Sequence, residues 1–204
     1  MSLYERFLLP RLTDLVMRHE TAAAERAHVV PLAEGVVLEV GVGSALNVPH
    51  YSPAVRALYG VDPSLALWRI GRRRLGTTPF PVRYVAGSAE RLPVRDGVAD
   101  TVVSTWTLCS IPDAAAALRE MRRALRPGGR LLFVEHGRAP DAGVRAWQDR
   151  LTPLWRRVAG GCHLNRPIDR LLEQSGFTAV TLDRFYASGP RIFAYLYRGV
   201  AVAA

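Results

Sequence analysis

The chain contains no lysine: all 27 of its basic residues are arginine. Usage this one-sided points to a coding bias rather than to a tuned electrostatic surface. A stripe that tracks phosphates would gather its cations on one face, whereas here RRR at 72–74 is the only tight cluster. The net charge of +9 therefore implies solvated arginine faces and no nucleic-acid partner. Cysteine is also scarce, with only Cys109 and Cys162. That excludes a disulfide scaffold. No apolar run is long enough for a membrane span, and the stretch SLYERFLLPRLTD is broken by charges and by Pro10, which excludes a secretory signal. The expectation is a reduced, cytoplasmic protein acting on a small molecule, with no membrane partner predicted. At 204 residues, one domain (1–204) can bury a core without staples.

What the chain does have is alternation of β-like and α-like segments. Strands are expected at Val36–Val40, Ala57–Val61, Val82–Ala86, Asp100–Ser104 and Arg130–Glu135, each short and apolar or β-branched. Between them, 63–75 places Leu65, Trp68 and Leu75 on one side, and 113–125 carries Leu118, Met121 and Leu125 at helical spacing behind the N-cap residue Asp113. Arg126-Pro127-Gly128-Gly129 then stops the helix. Two amphipathic helices, Leu3–Met17 and Thr21–Val30, should precede the first strand within an N-terminal segment 1–30. At the other end, Val180–Phe185 and Arg191–Tyr197 are joined by YASGP, too short for a crossover, so the last strands should pair antiparallel. The fold class is α/β: a Rossmann-like, doubly wound, seven-stranded and mostly parallel sheet with helices on both faces.

The segment VLEVGVGSALN puts a carboxylate just before two glycines at a strand end. Such a turn leaves bare backbone and free N–H groups at the carboxyl edge of the sheet, where open α/β folds bind ligands. The second strand ends in Asp62, about twenty residues on, placed to accept hydrogen bonds from ribose hydroxyls. Together these point to an adenosine-type cofactor. A dinucleotide needs a third glycine, but Leu46 stands there, and Glu39 disfavours an incoming pyrophosphate. A cation is favoured instead. S-adenosylmethionine, with its ammonium and sulfonium, fits that charge, and S-adenosylhomocysteine would be the product.

At these residues the chain resembles the class I S-adenosylmethionine-dependent methyltransferases: VLEVGVGS is similar to their first glycine motif, GVDPS to the ribose-binding acid, GSAERLP to the adenine-side loop and ALRPGGRLLFVEH to the helix–turn–strand that follows. The resemblance implies cofactor contacts from Glu39, Gly41, Gly43, Ser44, Asn47, Asp62, Pro63, Ser88, Ala89, Glu90, Thr105 and Trp106. Ala45 and Ser88 depart from the family pattern, which has a further glycine and an aspartate there. TWTLCSIPD, LRPGGRLLFVEHG, Trp147-Gln148, Pro153 to Trp155 and GGCHLNR are similar in order and spacing to the methyltransferase-like alkyl-thiol methyltransferases of animals and their bacterial relatives. This implies methyl transfer to an alkyl thiol or hydrogen sulfide. An amine, phenol or lipid head group is the alternative acceptor. A non-catalytic S-adenosylmethionine-binding module and an NAD(P)-dependent oxidoreductase are the alternatives of other classes.

The acceptor side should form over Thr105–Cys109, Glu135–Gly137 and a helical insertion at 140–176. His136 and His163 are the candidate bases or acceptor-positioning groups, each with a purely structural alternative. Tyr51, Cys109, Trp147, Cys162, Asn165 and Arg166 are the candidate acceptor contacts. In the segment 144–158, apolar residues recur at helical spacing, so Trp147 belongs either to a packing helix or to a lid. No metal is expected, because adjacent Cys162 and His163 point to opposite sides of an extended segment and no second cluster in sequence completes a ligand set.

Overall fold

The computed structural model describes residues 3–76 and 78–203; residues 1 and 2 of the expected N-terminal segment lie outside the described residues. Seven strands form one sheet: β1 (Gly35–Val40), β2 (Val55–Asp62), β3 (Val82–Ala86), β4 (Ala99–Thr105), β5 (Leu125–His136), β6 (Phe177–Tyr186) and β7 (Tyr195–Ala203). Their order is β3-β2-β1-β4-β5-β7-β6, with β7 antiparallel to both neighbours and the other pairings parallel. The central strands are covered on both faces, β4 being buried along its whole length. Leu38, Val102, Leu131 and Phe133 pack on one face with Leu118 and Met121, while Val37, Val103, Leu132 and Val134 pack on the other with Val29 and Val30.

The helices are α1 (Leu9–Met17), α2 (Glu20–Val29), α3 (Leu65–Gly71), α4 (Ala114–Ala124), α5 (Ala142–Val158), α6 (Ile168–Gln174) and the short α7 (Arg191–Ala194). Asp113 caps α4 by accepting the Ala116 N–H at 2.9 Å, and Ser64 caps α3 by accepting that of Leu67 at 3.3 Å. The chain leaves β1, runs outward through β2 to β3, then returns to β4 on the other flank of β1. That reversal opens a crevice at the carboxyl ends of β1, β2 and β4.

Four expectations are corrected. The helix expected over Leu3–Met17 divides: Tyr4–Leu8 is a π-turn and α1 follows, because Pro10 has no N–H to continue a regular ladder. The strand expected at Arg191–Tyr197 begins with α7, and β7 runs instead to Ala203, where it pairs along its whole length with β6 and β5. Arg126–Gly129 does more than end a helix. It loops out of β5 as a register shift opposite Ala99–Thr101, with Gly128 at φ +77°. Leu65 faces solvent, whereas Trp68 and Leu75 pack on the core as expected. Among the described residues no helix is long and apolar enough to cross a membrane.

Candidate active site

The crevice is a cavity of about 390 Å³. All twelve residues expected to contact the cofactor line it, from Glu39, Gly41, Gly43, Ser44 and Asn47 through Asp62 and Pro63 to Ser88, Ala89, Glu90, Thr105 and Trp106. None of the eight residues expected on the acceptor side does.

The floor is built by the turn after β1. Gly41 sits at φ +79° and Gly43 at φ +49°, left-handed angles that glycine adopts without strain. A Cβ on Gly41 would lie 2.2 Å from Thr107 Oγ1, whereas at Gly43 the nearest atom would be 3.8 Å away. The first glycine is needed for packing and the second keeps the floor open. Ala45, where the family pattern leads us to expect a glycine, takes φ +58°, so it keeps a left-handed backbone at the cost of strain. The third glycine of a dinucleotide turn has a counterpart on α3 instead: a Cβ on Gly71 would strike the Ser44 backbone at 2.4 Å, so α3 packs directly against the loop.

Asp62, at the end of β2, accepts the Gly43 N–H on Oδ2 at 2.9 Å and the Ser64 N–H on Oδ1 at 2.7 Å. Each oxygen keeps a lone pair for a hydroxyl. Burial raises its pKa, against those two hydrogen bonds. Glu39 is fully buried and accepts Asn47 Nδ2–H at 2.9 Å and the Tyr51 hydroxyl at 2.8 Å. Burial pushes its pKa up to about 8 even so, with Arg26 and the two hydrogen bonds opposing the rise. Asn47 also donates to Thr105 Oγ1 at 3.0 Å, which ties the floor to β4. Tyr51, expected at the acceptor, buttresses Glu39 from behind.

Ser88 and Glu90 are locked together: the Ser88 hydroxyl donates to Glu90 Oε2 at 3.1 Å and accepts the Glu90 N–H at 3.2 Å. Glu90 Oε1 accepts the Asp113 N–H at 2.8 Å, which ties the loop to the start of α4.

Two residues that shape the cavity, Arg26 and Arg74, were not anticipated. Arg26 of α2 is buried, donates to the Met17 carbonyl at 2.8 Å and stacks 4.8 Å from the centre of the Trp106 ring. Its Nε finds no acceptor, and burial lowers its pKa to about 10, with Glu39 opposing that shift. Trp106 itself holds φ +51°, a strained angle for a bulky residue of the kind that collects at functional sites. Arg74, from the RRR cluster read as solvated, donates to the Ser44 carbonyl at 2.8 Å and pairs with Asp14 of α1 at 2.8 Å, clamping α1 over the turn. Sequence offered no signal for Arg26 beyond an arginine on the face of α2 that also carries Ala22 and Val29.

On the acceptor side, Glu135 is the hub. Its buried carboxylate accepts the Ser104 hydroxyl at 2.8 Å and the N–H groups of Thr107 and Cys109 at 3.1 and 3.2 Å, which shapes the β4–α4 loop. Arg166 donates to the carbonyls of Leu108 and Pro112 and fastens the same loop. Asn165 donates to Asp149 of α5 at 2.6 Å. Trp147 is 53% exposed on the outer face of α5. Trp155 is the tryptophan of that helix that packs inward, beside Phe193, Cys109 and Cys162. His163 bonds the Cys109 carbonyl through Nδ1 at 3.1 Å, and its pKa is lowered by burial and by Arg166. His136 Nδ1 lies 3.9 Å from Cys162 Sγ. Cys109, His136 and Cys162, far apart in sequence, therefore meet, with their ligand atoms within 4.8 Å of one another.

The family model described as a methyltransferase domain matches residues 38–133, the stretch that builds this cavity floor. The chain is similar to mouse thiol S-methyltransferase TMT1B, with 34% identity over 170 residues, 76% of this chain and 68% of that protein. The chain belongs to the class I S-adenosylmethionine-dependent methyltransferases. Of the rat thiol S-methyltransferase TMT1B, 32% identical over 157 residues and 74% of this chain, it spans 63%. A shorter similarity, 36% over 99 residues, is to the demethylmenaquinone methyltransferase of Mycolicibacterium vanbaalenii, covering 48% of this chain and 41% of that one. Among solved structures, geranyl diphosphate methyltransferase in complex with S-adenosylmethionine shares the fold at a TM-score of 0.68, with 18% identity over 95% of this chain and 89% of that one.

The residues of this class I methyltransferase fit its cofactor. Buried Glu39 suits an ammonium, the unpaired Arg26 Nε suits a carboxylate, and Asp62 suits a ribose diol. Two carboxylates on the floor do not suit a pyrophosphate.

Proposed function

We propose that this chain methylates a small thiol, an alkyl thiol or hydrogen sulfide. Bound S-adenosylmethionine supplies an electrophilic methyl group. Glu39, Asp62 and Arg26 would hold the cofactor's polar groups, and the Gly41–Gly43 turn gives it bare backbone to lie on. Thr107, Ser110 and Ile111 on one side, and Ala159 and Gly160 on the other, form the remaining wall, where they would exclude water and align an acceptor. The insertion at 140–176 contributes that second side.

The observation that carries the reading is the extent of the thiol S-methyltransferase similarity, which at 76% of the chain reaches well beyond the 38–133 stretch. The lining of the cavity agrees with it. Among the described residues no histidine lines the cavity, and His136 and His163 both lie behind its wall. A thiol ionises by itself near pH 8.5, so it can react as thiolate without a dedicated base.

The second reading is a quinol or phenol acceptor. It is favoured by the similarity to demethylmenaquinone methyltransferase and by the apolar rim that Leu9, Pro10 and Met17 of α1 give the cavity. A labelled-methyl assay against small thiols, amines, phenols and quinols separates the two. Label on thiols alone is expected; label confined to quinols or amines would replace the thiol reading.

A further inference from the structure

Behind the wall formed by Ser110 and Gly160, three chain segments converge. Cys109 comes from the β4–α4 loop, His136 from the end of β5 and Cys162 from the turn after α5, and both cysteines are free and buried. We infer that Cys109, His136 and Cys162 form a zinc site with two thiolate ligands and one imidazole. Such a donor set suits a borderline-soft cation, and four-coordinate zinc separates sulfur and nitrogen ligands by about 3.5–3.8 Å. Cys162 Sγ and His136 Nδ1 stand at 3.9 Å, and the whole set lies within 4.8 Å, so the ligands need to close by no more than about 1 Å around a metal.

The backbone around the cluster is already fixed. The His163 N–H donates to the Cys109 carbonyl at 2.7 Å, joining two of the three segments independently of any metal. Gly161, at φ +89°, lets the turn approach Ser110 so closely that a Cβ there would lie 2.8 Å from the Ser110 carbonyl oxygen. The Trp155 indole N–H is buried without a hydrogen-bond partner, and its ring packs against Cys109 and Cys162, where a thiolate ligand would offer it an acceptor. On binding, each thiol gives one proton to solvent. Two thiolate charges then balance the dication, so the buried site stays neutral. The ion would hold Ser110 and Gly160 in place on the cavity wall, and it makes no demand on which acceptor is methylated.

The test uses the full chain, purified with reductant and freed of metal by chelator. Cobalt(II) titration should give thiolate-to-cobalt charge-transfer absorption saturating at one ion per chain. Zinc should displace the cobalt and raise the melting temperature. X-ray absorption of the zinc-loaded unmodified chain should show two sulfur neighbours, a result that does not depend on any variant folding. Cys162→Ser and His136→Ala should each weaken zinc by ~100-fold or more. A featureless cobalt spectrum, a zinc shell of nitrogen and oxygen only, or unchanged affinity in both folded variants would each overturn the site.

Discussion

Glu39 is a carboxylate buried among neutral donors, so it titrates late, and two consequences follow. In the free protein its pKa stands near 8 against an ordinary 4.5, because burial disfavours the charge. Between those values the folded chain keeps a proton that the unfolded chain releases, so this group's contribution to stability is full below pH 4.5 and is lost as pH rises through 8. A cationic ligand needs the ionised form, and so the dependence of binding has the opposite sign. Affinity for S-adenosylhomocysteine, followed by calorimetry, should rise about tenfold from pH 6 to pH 7, and Glu39→Gln should flatten that rise. An unchanged slope in the variant would assign the titration elsewhere. The glycines allow a second contrast. Gly41→Ala combines a left-handed φ with a collision against Thr107, whereas Gly128→Ala has the same backbone angle and open space around it. Urea denaturation should show about 1–2 kcal/mol lost for Gly128→Ala and clearly more for Gly41→Ala. Glu39, Asp62 and the glycines were legible in sequence because their chemistry is local to one turn. Arg26 and the left-handed backbone of Trp106 were not. The first acts through the surface its helix buries, and the second is a backbone angle that no residue type announces.

At the scale of elements, α5 shows how far periodicity reaches. The repeat of apolar residues over 144–158 identifies the helix, yet it does not say which tryptophan faces in. Trp147 is half-exposed with Arg150 beside its ring, while Trp155 packs on Phe193. Trp147→Ala should therefore change stability by no more than about 0.5 kcal/mol and leave the acceptor KM unchanged. Trp155→Ala should cost about 2–4 kcal/mol in urea denaturation. A raised acceptor KM in the Trp147 variant would restore a lid role for that residue. The end strands carry a similar lesson. YASGP announced the reversal, but β7 starts four residues later than its sequence pattern suggests, because pairing with β5 and β6 together outweighs the local preference of Arg191–Ala194. The layer behind the cavity wall was the least legible part: Cys109, His136 and Cys162 come from three separate segments, and only the completed sheet brings them together.

Across the whole molecule, a mostly parallel sheet was readable from alternation alone, while its strand order, which no local pattern states, places the cavity. β1 lies between β2 and β4, so its glycine turn, the Asp62 that ends β2 and the Thr105 that ends β4 converge on one crevice. The arginine excess is distributed over that frame as local pairs, such as Arg74 with Asp14, Arg198 with Glu25 and Arg123 with Glu120, rather than as one basic face. The account depends most on that crevice holding an S-adenosyl cofactor by its sugar. Calorimetry of S-adenosylhomocysteine against the unmodified chain and Asp62→Ala, with NAD as a control, tests it most directly. The account predicts one bound molecule per chain, a loss of about 10–100-fold in the variant and no heat from NAD. Undiminished binding by Asp62→Ala, or NAD binding in place of S-adenosylhomocysteine, would contradict it.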